Sequence, residues 1–197
     1  VYVPLSSSEV VPAAQSTYAC CTFRGALVAL NLEDGSIAWR TYTTDKPEPL
    51  GKNAVGVPRF GPSGAPIWSG PTLDTKRNLV YATTGQNYSS PATGTSDAVI
   101  AMDTTTGEVK WVSQVTANDA WNGACGFTMI NCPEEDGPDY DIGASAILVT
   151  SKSNRDLLLV GQKSGLTYAM DPDQQGKILW RQRVGSGGTM GGVHWGM

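Results

Sequence analysis

Apolar and polar residues along this chain recur as a phrase rather than as a helical stripe. Residues 101–111, AMDTTTGEVKW, run from a short apolar strand through a polar turn closed by glycine into a second strand ending in tryptophan. Residues 29–39, ALNLEDGSIAW, repeat it, and residues 169–180, AMDPDQQGKILW, repeat it with one extra residue in the turn. The three tryptophans stand 72 and then 69 residues apart. Asn or Asp opens each turn because its side chain bonds the backbone two residues on, and Gly closes it because it accepts positive φ. Beyond the turn, strict alternation puts Ile37 with Trp39, Val109 with Trp111 and Ile178 with Trp180 on one face. A hairpin buries one face only and needs a neighbouring sheet to cover it. Repetition at a fixed period supplies that neighbour and points to a β-propeller.

Between the copies, residues 67–74 and 78–83 predict a hairpin around Thr75-Lys76-Arg77, and residues 145–150 and 157–162 another around Lys152-Ser153-Asn154-Arg155. Residues 41–66 and 113–144 read as long loops, which on a repeat scaffold are where function is expected. The fold class is all-β, a partial β-propeller of about two full four-stranded blades plus pieces, because a period near 70 leaves no room for the four or more blades of a closed ring. Residues 1–40 end a blade with the first repeat, 41–111 and 112–180 form a blade each, and 181–197 start the next. The chain opens at Val1 without methionine and stops just past a turn, and is expected to come from inside a longer propeller.

Composition adds a little. With 16% charged residues, 23 glycines and 12 prolines in 197 residues, the chain is turn-rich. A net charge of −4 argues against nucleic acid as a partner and gives no support to anionic membranes. No run is long and apolar enough to cross a bilayer as a helix. The four cysteines carry neither a CxxC metal spacing nor a CxxCH haem motif. Cys125 and Cys132 could close a short disulfide, which favours an oxidising compartment, periplasmic or secreted. His194 is the only histidine and has no nucleophile elbow beside it, so hydrolase chemistry carries little weight.

Several phrases together resemble the pyrroloquinoline-quinone (PQQ) dependent alcohol dehydrogenases, eight-bladed propellers related to methanol dehydrogenase, and among them the polyvinyl-alcohol dehydrogenase-like branch. They are CCTFRGALVALNLEDGSIAW, GAPIWSGPTLDTKRNLVYATTGQNYS, NDAWN, GPDYDIGAS and GQKSGLTYAMDP, and they cover most of the chain. The resemblance implies that Trp68 is the floor on which the planar quinone stacks, a role its aromatic face suits; the other reading is a core tryptophan. Adjacent Cys20 and Cys21 match the vicinal disulfide that packs on the other quinone face, although here the pair falls later, just before Arg24-Gly25. Pairing with Cys125 or Cys132 stays open. Glu9, after Ser6-Ser7-Ser8, and Gln86 or its neighbour Asn87 match the Ca²⁺ ligands, as oxygen donors suited to a hard cation.

The family's catalytic aspartate follows a tryptophan. Here that position is Asn122, in Asp119-Ala120-Trp121-Asn122, and an amide is no general base. Asp119, Asp139 and Asp141 are the candidates to replace it. Lys163 sits where the family bonds quinone oxygens, and Arg24 could pair with a cofactor carboxylate. The implied function is PQQ- and Ca²⁺-dependent oxidation of an alcohol, secondary or polymeric, with electrons passing to cytochrome c or a quinone acceptor. The rivals are a non-catalytic propeller scaffold of the outer-membrane assembly type and a quinone-binding propeller without activity. A scaffold has no need of Cys-Cys, the IWSGP hairpin or GQKSG, whereas Asn122 points the other way.

Overall fold

Three meandering antiparallel sheets, one per repeat, carry the chain in the computed structural model, which describes residues 1–196. The first holds β1 (Tyr2–Leu5), β2 (Ala26–Leu30) and β3 (Ile37–Tyr42). A ribbon of β4 (Glu48–Lys52) and β5 (Pro58–Gly61) follows, then β6 (Ser63–Gly64). The second sheet is built from β7 (Thr72–Asp74), β8 (Leu79–Thr83), β10 (Ala98–Asp103) and β11 (Val109–Gln114), while β9 (Asn87–Ser89) leaves it to pair with β6. The third holds β12 (Ile147–Thr150), β13 (Asp156–Gly161), β14 (Leu166–Asp171) and β15 (Lys177–Arg183). Two four-stranded blades and a three-stranded piece are thus present, as the repeat predicts.

Two expectations need correction. The stretch 41–66 is not one loop, because β4 and β5 form an exposed ribbon within it; Pro49 and Pro58 are tolerated there since a two-stranded edge leaves unpaired positions. Of residues 67–74, only Thr72–Asp74 pair in the sheet. Pro66 and Pro71 lack the N–H groups a longer strand needs, and Ile67 is buried as a loop residue.

The repeat phrase also encodes a bulge that alternation does not reveal. Register slips between Ala29 and Leu30, between Ala101 and Met102, and between Ala169 and Met170, one residue before each tryptophan's partner pair is reached. Ile37, Val109 and Ile178 consequently turn outward and are exposed, whereas Trp39 is buried. Trp39 and Trp111 then dock on the following blade, whereas Trp180 in the last sheet is exposed. Trp39 Nε1 donates to the Thr104 carbonyl at 3.1 Å, and its ring lies so close to Gly107 that a Cβ there would collide with it. Trp111 meets Gly176 in the same way. These turn glycines have φ of 73° and 72°, so they provide both the turn and the seat.

Strand β10 is covered on both faces. Ala98, Ile100 and Met102 pack with Leu27, Ala29, Ile67 and Val80 toward the first sheet. Val99 and Ala101 pack with Ile142, Leu158, Val160 and Met170 toward the third. At the rim, an ion cluster ties the second blade to the third: Arg77 pairs with Asp74, Asp156 and Asp173 at 2.7–2.9 Å. A third core, of Ala13, Cys20, Cys21 and Tyr88 with Phe23 and Tyr18 against it, anchors the loops at the opposite end.

Candidate active site

The loops between blades converge on a cleft of about 340 Å³. Its polar wall is Asp139, Asp141, Lys163 and Gln86, and its apolar wall includes Trp68 and Tyr88. Lys163, at the turn between β13 and β14, sends Nζ to Asp139 Oδ2 at 2.9 Å and to Asp141 Oδ2 at 2.6 Å. The side chains of all three are about 95% buried. Asp141 Oδ1 accepts from the Gln86 N–H at 2.9 Å, and this approach requires Gly85, because a Cβ there would strike the carboxylate. Among the described residues, Asp139 Oδ1 has no partner.

Electrostatics follow from burial. Burial first, and the Asp141 charge second, push the Asp139 carboxyl up to about 8. Burial alone would lower Lys163, but the two carboxylates outweigh it and hold its pKa above the usual lysine value. Behind Gly85, whose carbonyl accepts from its N–H at 3.2 Å, lies Asp97, fully buried with both carboxylate oxygens unpartnered. Burial, then Asp119, Asp141 and Asp139, raise its pKa well above the normal range.

The remaining residues singled out in the sequence divide sharply. Asp119 is buried and works on the loop: its oxygens accept from the N–H groups of Asp139 at 3.0 Å and Tyr140 at 2.8 Å, which fixes Asp139 in a φ of 57°. Asn122 is spent on backbone, donating to the carbonyls of Tyr88 and Asn131 and accepting from Ala124 N–H. Asn87 likewise donates to the Ser63 carbonyl and accepts from Thr93. The Glu9 carboxylate accepts from the N–H groups of Thr22 and Phe23 and from the Tyr18 hydroxyl, holding the segment after the cysteine pair. Cys20 and Cys21 are joined as a vicinal disulfide, and Cys125 with Cys132 as a second. The vicinal pair packs on Tyr88 rather than on the cleft itself. Arg24 lies outside, donating to the Thr44 carbonyl and stacking its guanidinium 3.7 Å from the Tyr42 ring centre.

Trp68 does line the cleft, and its Nε1 is buried without a partner among the described residues. Sequence reasoning overlooked what stands against it: His194 and Trp195, stacked on each other at 4.5 Å, both present edge-on to Trp68 at 5.2 and 5.1 Å. Burial, then Lys163, lower the His194 pKa below the usual histidine value. The only available signal was that His194 is the sole histidine.

The donor set fits a quinone with a hard cation. Asp139, Asp141 and the Gln86 amide are oxygen donors, and the orphaned Asp139 Oδ1 and Trp68 Nε1 are polar atoms awaiting partners. With both carboxylates ionised the wall carries a formal net charge of −1, and with Asp139 protonated it carries none, so in either state a divalent cation would make it net positive and suited to an anionic planar ligand.

Residues 10–185 match the family described as PQQ, glucose/ethanol/alcohol dehydrogenase, β-propeller domain. A polyvinylalcohol dehydrogenase of Pseudomonas sp is 46% identical over 198 residues, and one of Sphingopyxis sp. (strain 113P3) is 42% identical over 200. Both matches take in 100% of this chain, which spans 31% of the length of either relative. Among solved structures, the quinohemoprotein alcohol dehydrogenase from Comamonas testosteroni superposes with a TM-score of 0.63 at 20% identity, covering 92% of this chain and 26% of that one. That likeness shows the shared propeller fold. With the family's propeller domain matched across nearly the whole chain, and the blades and cleft placed as above, the chain belongs to the PQQ-dependent alcohol dehydrogenase β-propeller family.

Proposed function

We propose that these residues form the active-site sector of a PQQ- and Ca²⁺-dependent alcohol dehydrogenase. It acts in the periplasm or outside the cell, on secondary alcohol groups of a long or polymeric substrate such as polyvinyl alcohol. Electrons leave to cytochrome c or a quinone acceptor. The observation that carries the reading is the buried Asp139–Lys163–Asp141 cluster beside Trp68, with Asp139 Oδ1 unpartnered. The names of the relatives at 46% and 42% identity support the substrate class.

Bound in the cleft, PQQ would supply the hydride acceptor and Ca²⁺ the Lewis acid that polarises its carbonyl. The chain supplies the rest. Trp68 offers the flat apolar face, and Asp141 with Gln86 offers oxygens to the cation. In its ionised form Asp139 accepts the hydroxyl proton of the alcohol, because it is the carboxylate with a free oxygen and its raised pKa makes it the stronger base. Lys163 holds both aspartates in place and can share its charge with a bound anion. Asp119 positions Asp139 through the backbone.

The test is an absorbance titration of the full gene product with PQQ and Ca²⁺, followed by dye reduction with a secondary alcohol. Saturable binding and alcohol-dependent reduction are expected. A protein that binds no quinone would overturn the assignment.

A further inference from the structure

The segment after β15 is a strap laid across the Lys163 turn. Val184 N–H donates to the Gly165 carbonyl at 2.9 Å, Gly188 N–H to Lys163 at 3.1 Å, and Val193 N–H to Gln162 at 3.1 Å. The glycines are what let it lie so close. A Cβ at Gly187 would overlap the Ser164 backbone, and one at Gly192, where φ is 83°, would overlap the Lys163 carbonyl. The strap ends by placing His194 and Trp195 against Trp68, where Gly143 leaves room: a Cβ there would press on both His194 and Trp68. His194 lines the same cleft as Asp139, Asp141 and Lys163, and its Nε2 is shut away from water without a partner among the described residues.

A buried ring nitrogen with no hydrogen bond costs free energy that a ligand oxygen can recover. Stacking on Trp195 and contact with Trp68 hold the imidazole in one orientation, so little ordering is left to be done on binding. We propose that His194 is a ligand-binding residue whose Nε2 hydrogen-bonds an oxygen of the planar, oxygen-rich anion seated on Trp68. The proposal rests on the PQQ reading above. It adds to the cleft a ring-nitrogen partner carried by the strap that lies across the Lys163 turn.

The experiment measures PQQ affinity by quenching of tryptophan fluorescence, in the presence of Ca²⁺, for the full gene product and its His194→Phe and His194→Gln variants. Phe keeps the aromatic contacts and loses the nitrogen, whereas Gln restores a hydrogen-bonding group. His194→Phe is expected to unfold at the wild-type temperature yet bind about tenfold more weakly, and His194→Gln to bind within a few-fold of wild type. Wild-type affinity in His194→Phe overturns the proposal, as does equal weakening by Phe and Gln. If His194→Phe does not fold, His194→Ala takes its place with the same two outcomes. A wild-type protein that binds no PQQ overturns this proposal and the functional reading together, whereas a wild type that binds while His194→Phe matches it removes only the histidine.

Discussion

Two clusters in this molecule use the same chemistry, one or two cations among aspartates, to opposite ends. At the rim, Arg77 meets Asp74, Asp156 and Asp173, with Lys76 adding a second contact to Asp156. In the cleft, Lys163 meets Asp139 and Asp141. The rim aspartates are all held below the usual carboxylate range, Asp156 by hydrogen bonds from Lys76, Thr150 and Arg77, and Asp173 by its bond from Arg77. Asp139 is pushed the other way. Both clusters use aspartates, but the central cation and the surroundings differ. Water reaches Lys76 and Asp173, whose side chains are 70% and 64% exposed, and the guanidinium fork gives each carboxylate a partner. In the cleft a point-charge ammonium serves two dry carboxylates and leaves Asp139 Oδ1 unmet. Satisfied ions fasten blades, and the unsatisfied one is the group to which the proposed function gives proton transfer.

The comparison is broken most directly at Asp139. Asp139→Asn should lower alcohol-dependent dye reduction about 10²–10⁴-fold, while Asp156→Asn at the rim should leave it near wild type. Equal activity in both variants would remove the distinction. Removing the cations comes next. Lys163→Met leaves two buried carboxylates without a counter-charge and should cost about 3–5 kcal/mol in denaturant unfolding. Arg77→Met should do less, lowering the unfolding midpoint by about 5 °C without changing quinone affinity, because solvent can take over part of its work.

The smallest effect concerns pH, and the two clusters should move in opposite directions. The folded pKa of Asp139 lies above the unfolded value of 3.8, so its contribution to stability is full below about pH 4 and is lost as pH rises through about 8. Asp156 has a depressed folded pKa, so its contribution is present above about pH 4 and is lost as pH falls further. In protein free of quinone and calcium, Asp139→Asn should flatten the alkaline decline in unfolding midpoint and Asp156→Asn the acid one. Identical pH curves for the two variants would show that burial does not separate the clusters.

What the sequence by itself determined is whatever local chemistry enforces. Turn glycines at 107 and 176, the Asp side chains that bond the next turn N–H groups, and tryptophans spaced for docking are short-range requirements, so the blades were readable from the repeat. The bulge before each tryptophan was not, because alternation alone assumes an unbroken ladder, and only the paired strand reveals the slip. The cleft was legible in part: Trp68, Gln86, Asp139, Asp141 and Lys163 come together, while Glu9, Asn87, Asn122 and Arg24 answer to backbone partners elsewhere. Nothing along the chain distinguishes a carboxylate bonded to N–H groups, such as Asp119, from one left with a free oxygen, such as Asp139. That difference is made by residues 20 to 60 positions away closing over each side chain. Burial and partner count, which set charge and pKa, are therefore properties of the assembled blades and not of any stretch of sequence.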